Sequence, residues 1–167
     1  MAAEFRVWIA NLGKYNEGES VGAWFEPPIN WDDMAEQIGL NEQYEEYAIH
    51  DYEAPFPVSE YDSIDHINAM GAALEQLNNS ELGDVVEELL DARFDDVIEL
   101  AAHIDDFVHY QVDSMQDLAI MLVQDGDYCG EVPEAIQSYV DYQRLADDLE
   151  ADGQYITTKN GIYEYLN

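Results

Sequence analysis

The side chains of this sequence that could perform chemistry are four histidines and one cysteine, and their spacing does not build a catalytic site. The histidines are His50, His66, His103 and His109. They form no HExxH pattern and no closely spaced pair. His50 stands beside Asp51 and could form an acid–base dyad, but a structural histidine with satisfied hydrogen bonds is the favoured interpretation. Cys129 has no neighbour in the sequence that would activate its thiol. We therefore predict no catalysis and no cofactor.

Phosphate and metal sites are also poorly supported by the spacing. Gly13, Gly18 and Gly22 lie too far apart for a glycine-rich phosphate loop. Asp125-Gly126-Asp127 could begin a calcium loop, but it lacks the regular ligand spacing and the glutamate at position twelve of an EF-hand. We therefore predict no bound metal.

The acidic side chains carry the strongest signal. The 167 residues include 38 Asp and Glu against five Lys and Arg, for a formal net charge of −33. A DNA duplex carries one negative charge per ~1.7 Å, so this charge equals that of roughly 56 Å of duplex. Such a charge steers a protein toward an oppositely charged partner and repels phosphorylated substrates. It favours a protein that occupies a DNA-binding groove in place of DNA.

Composition leaves two alternatives open. Proteins adapted to high salt also carry acidic surfaces, and so do general acidic interaction proteins such as chaperones of basic proteins. Disorder is disfavoured, because 47% of the residues are apolar and twelve are tyrosine. No secretory signal and no apolar run of membrane-spanning length is present, and a single cysteine suits a reducing compartment. We expect a cytoplasmic protein without a membrane partner.

Hydrophobic periodicity predicts an α+β fold of three small domains, and the charge favours an elongated chain of these domains. Residues 1–61 form a β-rich N-terminal domain, with strands over 5–11, 21–25 and 44–52. Within it, Asn30 caps a short helix that stops at Gly39, and Gly13 marks a turn. A chain of 167 residues folded into a compact sphere would be only about 40 Å across. Three domains in a row would reach the charge density of a DNA duplex more easily.

The other two domains combine helices with a C-terminal sheet. Residues 62–103 form a helical middle domain with three apolar stripes, which begin at Met70, Leu82 and Phe94. Residues 104–167 form a mixed α/β domain. Its predicted elements are a strand over 108–112, a helix capped by Ser114, a loop over 126–130, helices from Pro133 and over 142–149, and a hairpin at 159–161.

An acidic stripe follows the helical period in the middle domain. Asp84, Glu87, Glu88 and Asp91 lie at i, i+3, i+4 and i+7. Asp95 and Glu99 extend this row unless a break near Arg93 redirects the axis. One acidic helix face is ordinarily just a solvated face. The argument for a binding role depends on the same bias in all three domains and on the absence of lysine between Lys14 and Lys159.

Several motifs are more specific than composition. They are IANLGKYNEG at 9–18, VGAWF at 21–25, YEEYAIHDYE at 44–53, EVPE at 131–134, YVDY at 139–142 and ADDL at 146–149. In these motifs and their order the chain resembles the ArdA family of antirestriction proteins. The resemblance covers nearly the whole chain and is weakest in the middle domain.

The resemblance implies a dimeric DNA mimic. Such proteins occupy the DNA-binding groove of type I restriction–modification enzymes, at the methyltransferase core, and protect incoming mobile DNA. It also implies three small domains in a curved, elongated monomer that dimerises through the C-terminal domain. No direct binding of nucleic acid is expected. We interpret Trp24 in the N-terminal motif as a core aromatic.

Together, charge and resemblance predict the partner-binding residues. The acids expected to stand where DNA phosphates would lie are Asp32, Asp33, Glu36, Glu45, Glu46, Asp84, Glu87, Glu88, Asp91, Asp95, Asp96, Glu99, Asp105, Asp106, Asp113 and Asp117. Phe107 is the candidate for the dimer interface, as an exposed aromatic on a possible edge strand opposite the core-facing Val108, Tyr110 and Val112. The alternative is that Phe107 packs within its own domain.

Overall fold

The computed structural model describes residues 2–167 and divides into two compact units. The first unit ends at Ala102 and the second spans His103–Asn167. Each contains one three-stranded antiparallel sheet accompanied by helices. The predicted α+β class is confirmed. The division into three domains stays a prediction.

The sheet of the first unit is centred on its first strand. The strands are β1 (Arg6–Asn11), β2 (Gly22–Phe25) and β3 (Tyr47–Glu53), in the order β2-β1-β3. Val7 and Ile9 of β1 are fully buried, as the alternation predicts. All three predicted strands are confirmed, with the third beginning at Tyr47.

Two expectations about the N-terminal motif are wrong. Gly13 lies inside a short helix, α1 (Leu12–Asn16), because the buried Asn11 caps it by accepting a hydrogen bond from Lys14 N. Trp24 is 37% exposed and is not a core residue. It lies on edge strand β2 opposite Trp8, with the two ring centroids 5.9 Å apart.

The helices of the first unit follow the predicted Asn30 cap and the predicted apolar stripes. Asn30 caps α2 (Trp31–Ile38), and Gly39 ends it in the left-handed conformation. Ser63 caps α3 (Ile64–Asn78), whose buried stripe includes Met70 and Leu77. A 3-10 turn at Gly83–Val85, α4 (Val86–Ala92) and α5 (Val97–Ala102) complete the unit.

The second unit also packs helices against a sheet. After a 3-10 turn at Ile104–Asp106, its strands are β4 (Phe107–Tyr110), β5 (Tyr155–Thr158) and β6 (Gly161–Tyr165), in the order β4-β6-β5. Its helices are α6 (Met115–Gln124), α7 (Glu134–Gln137) and α8 (Tyr142–Ala151). The predicted Ser114 cap, the loop over 126–130 and the 159–161 hairpin are confirmed.

The core of the second unit is small. One cluster of buried side chains consists of Leu118, Ala119, Leu122, Ala146, Leu149 and Ile162, and Val123, Ile156, Tyr163 and Tyr165 are buried as well. Half-buried side chains surround them, among them Tyr110, Val112 and Tyr155. Across residues 2–167, no helix combines the length and the apolar character needed to cross a bilayer.

Candidate partner-binding surface

The carboxylates lie at the surface in both units. Asp62, Glu88, Asp106 and Glu164 are half-buried, and every other Asp and Glu is exposed. This distribution follows from the cost of removing an unpaired charge from water. The formal charge of −33 is therefore presented to solvent.

The structure places the acids predicted in the N-terminal domain at two exposed sites. Asp32 and Asp33 occupy the first turn of α2, where the helix dipole favours anions, and Glu36 follows one turn later. Glu45 and Glu46 directly precede β3. All five carboxylates are exposed.

The predicted acidic stripe does not lie on a single regular helix. Asp84 belongs to the 3-10 turn, whereas Glu87, Glu88 and Asp91 belong to α4. The backbone departs from helical geometry at Val85, with φ −122° and ψ 15°, so the i, i+3 rule does not carry Asp84 onto the face of α4. Glu88 is half-buried and the other three acids are exposed.

The predicted break near Arg93 is confirmed. Helix α4 ends at Ala92 and Arg93 takes φ −151°. Asp95 and Asp96 lie between α4 and α5, where Asp96 Oδ1 accepts a hydrogen bond from Ile98 N at 2.6 Å. Glu99 lies in the first turn of α5. These three acids are exposed but do not continue the row of α4.

Two of the acids predicted in the C-terminal domain also support the fold. Asp106 Oδ2 lies 2.7 Å from His103 Nδ1, and this hydrogen bond lowers the pKa of Asp106 below its usual value. Asp117 accepts a hydrogen bond from Ser114 Oγ at 2.9 Å in the α6 cap. Asp105 and Asp113 are exposed.

Arg6 shows how a cation is held on this acidic surface. Its guanidinium donates two hydrogen bonds to Glu53, at 2.6 and 2.8 Å, which lowers the pKa of Glu53 and raises that of Arg6. The same group lies 4.7 Å from the centroid of the Trp24 ring. Sequence reasoning missed this cluster, because its three members come from three different strands.

The histidines have structural surroundings. His50 lies 4.0 Å from Glu60 and packs on Tyr15, whereas Asp51 Oδ1 accepts a hydrogen bond from Tyr52 N. The dyad of His50 with Asp51 is therefore not formed. His109 stacks on Tyr163 at 4.3 Å. Within residues 2–167 no group of three His, Cys, Asp or Glu side chains is arranged to hold a metal.

Sequence reasoning also missed a cluster around Glu164 in the second sheet. Tyr110 Oη donates a hydrogen bond to this half-buried carboxylate at 3.1 Å. Burial and the nearby charge of Glu164 raise the pKa of Tyr110 to about 12, and the same causes raise the pKa of Tyr155. Both tyrosines pack on the core of this unit.

Phe107 lies on an edge strand, as the dimer hypothesis requires. Strand β4 is at one end of the sheet order. Phe107 is half-buried and not exposed as expected, because its ring packs on the buried Tyr165, with the two ring centroids 5.2 Å apart. Tyr110 and Val112 pack against the core, as predicted. The position of Phe107 is thus suitable for an interface, but its role there stays a prediction.

Comparison with known families decides the identity. The sequence model of the antirestriction protein (ArdA) family matches residues 7–164. This chain belongs to the ArdA family. The resemblance drawn from the motifs is thereby confirmed, and family membership implies an antirestriction function for the protein. No curated protein sequence matches this ArdA protein significantly.

Proposed function

We propose that this ArdA protein mimics B-form DNA and occupies the DNA-binding groove of a type I restriction–modification enzyme, at its methyltransferase core. The observation that carries the proposal is the exposure of the carboxylates over both units, without a single fully buried Asp or Glu among residues 2–167. Exposed carboxylates can meet the lysines and arginines that bind DNA phosphates. The protein acts as an inhibitor without catalysis.

The predicted phosphate-mimicking acids are proposed to act as a distributed surface. They lie on α2, ahead of β3, around α4 and α5, in the segments that flank β4, and in the first turn of α6. Because each exposed pair with the enzyme contributes little, many pairs are needed for tight binding. An elongated arrangement of three small domains would spread these charges along the groove.

We also propose that the working unit is a homodimer held by the C-terminal region. Two chains carry twice the charge of −33, equivalent to roughly 112 Å of duplex at ~1.7 Å per charge. Association of two such anions requires an apolar contact, and Phe107 on edge strand β4 can supply one. The inhibitor would act in the cytoplasm, where incoming DNA meets the enzyme, and would not itself bind nucleic acid.

Competition with DNA tests this function. A purified type I methyltransferase is loaded with a fluorescent duplex that carries its recognition site, and the ArdA protein is titrated at several salt concentrations. We expect displacement of the duplex and an affinity that falls as salt rises, since salt screens complementary charges. Simultaneous binding of protein and duplex, with neither weakening the other, would contradict DNA mimicry. A protein that needs high salt to keep its circular dichroism spectrum would support the halophile alternative.

A further inference from the structure

A preformed groove lies in the first unit beside the Arg6 cluster. It has a volume of about 660 Å³ and runs along α3, facing the N-terminal segment and Pro27-Pro28. This volume is in the range of ligand-binding clefts. No sequence pattern pointed to it, because its walls come from three separate segments.

Two asparagines of α3 hold the walls of the groove in place. Asn68 Oδ1 accepts from Ile29 N at 2.6 Å, and Asn68 Nδ2 donates to Ile29 O at 2.9 Å. Asn78 bonds Ala3 in the same reciprocal way, at 3.2 and 3.0 Å. A Cβ atom at Gly71 would collide with Pro27, so this glycine permits the close approach of the wall. The groove therefore exists before any partner binds, which lowers the entropy cost of binding.

The lining of the groove is chemically selective. Glu4, Glu26 and Glu75 contribute three carboxylates, against one guanidinium from Arg6 that Glu53 already holds. Pro27, Ala72 and Leu74 add apolar surface between them. Apolar surface next to carboxylates suits the aliphatic stem and cationic head of a lysine or arginine. Arg6 shows that the adjoining surface already holds a guanidinium, against the Trp24 ring and the Glu53 carboxylate.

The dimensions of the groove suit a short extended segment. Asn68 and Asn78 are ten residues apart on α3, which is about 15 Å at 1.5 Å per residue. An extended chain covers that distance with about five residues.

We propose that this groove binds an extended basic segment of the restriction–modification enzyme, with an arginine or lysine side chain between Glu26 and Glu75. The inference rests on the proposed function for the identity of the partner, but not for the chemistry of the groove. The groove would give the partner-binding surface a contact of defined shape, in addition to its charge.

A peptide tests the chemistry of the groove without the enzyme. The probe is a five-residue peptide with two arginines among glycines, and the control peptide carries neutral citrulline in their place. We expect the arginine peptide, at millimolar concentration, to shift the amide NMR signals of Gly71, Ala72 and Asn78, and the citrulline peptide to leave them in place. The E26Q/E75Q variant should lose these shifts and the matched E19Q/D65N variant should keep them. Shifts spread evenly over the acidic surface, or absent from the groove, overturn the proposal.

Two lysine variants of α3 test the groove in the complex. Ala72 lines the groove and Gln76 does not, while both are exposed on the same helix. A72K should weaken displacement of DNA about tenfold by filling the groove with an internal cation, and Q76K at most about twofold. Equal effects overturn the proposal. If circular dichroism shows that A72K is misfolded, E75Q is compared with D65N in its place. Equal effects of E75Q and D65N on the displacement of DNA would again overturn the proposal. Failure of the wild type to displace DNA rejects the proposed function, whereas the peptide result judges the groove separately.

Discussion

The two compact units of this ArdA protein contain similar sheets but differ in the size of their cores. In the first unit the central strand β1 carries the fully buried Val7 and Ile9, and in the second unit the central strand β6 likewise carries the buried Ile162 and Tyr163. Among the described residues, however, 24 apolar side chains are buried in the first unit and only ten in the second. A unit as short as His103–Asn167 is near the size at which one core is barely sufficient.

The comparison shows that the exposure of the acidic side chains does not depend on the size of the core. Both units expose their carboxylates, so the proposed DNA mimicry does not require the larger core of the first unit. Both units also expose large apolar side chains, among them Trp31 and Tyr61 in the first unit and Tyr128 and Tyr139 in the second. The smaller core of the second unit is what a second copy could extend, in line with the proposed dimer.

Truncation of one core leucine in each unit should have the largest effect. Leu118 and Leu89 are both fully buried, and replacement by alanine costs about 2–5 kcal/mol at such positions. We expect L118A to unfold the second unit and L89A only to lower the melting temperature of the first. All three tryptophans lie in the first unit, so their fluorescence reports on it alone, while circular dichroism reports on both. Equal losses in the two variants would contradict the difference in core strength.

Replacement of Phe107 by aspartate should have the next largest effect. A charge on edge strand β4 would repel the same charge on a second copy, so we expect F107D to be monomeric by sedimentation. T157D places a charge on β5, the opposite edge strand, and should remain dimeric. Circular dichroism serves as the folding control. A folded, dimeric F107D would exclude Phe107 from the interface, and a monomeric wild type at micromolar concentration would reject the dimer.

Neutralising the acids around α4 should weaken inhibition moderately. We expect the D84N/E87Q/E88Q/D91N variant to lose about tenfold in affinity for the enzyme, because exposed pairs contribute about 0.2–1 kcal/mol each. Loss of like-charge repulsion should leave its melting temperature equal or higher. The control removes four exposed acids from the second unit, D147N/D148N/E150Q/D152N. Equal losses would mean that total charge matters and position does not, and unchanged inhibition would exclude the α4 acids from the binding face.

Alkaline pH should produce the smallest effect and should act most on the second unit. The pKa of Tyr110 is raised from 10.0 to about 12, so its contribution to stability is complete below pH 10 and is lost as pH rises toward 12. The raised pKa of Tyr155 acts with the same sign. Thermal melts between pH 8 and 12 should show this loss, and E164Q should reduce it. A pH response of E164Q equal to that of the wild type would show that Glu164 is not its source.

The local signals for helix caps and for the C-terminal hairpin were reliable. Asn30, Gly39 and Ser114 bound helices as predicted, because each cap depends on hydrogen bonds within about one turn. Alternation predicted β1, and the glycine at 161 predicted the hairpin. Net charge and the family motifs are properties of the sequence itself, so the expected antirestriction function needed no coordinates.

Tertiary structure decided the features that depend on distant residues. Asn11 caps α1 while donating to Ile38 O and Gly39 O, contacts that no local pattern encodes. His50 lies near Glu60 instead of binding Asp51, and strand order leaves Trp24 exposed. The groove along α3 exists only because Asn68 and Asn78 bind backbone far away in the chain. Periodicity and caps act over a few residues, whereas sheet order and side-chain partners are chosen by packing of the whole unit.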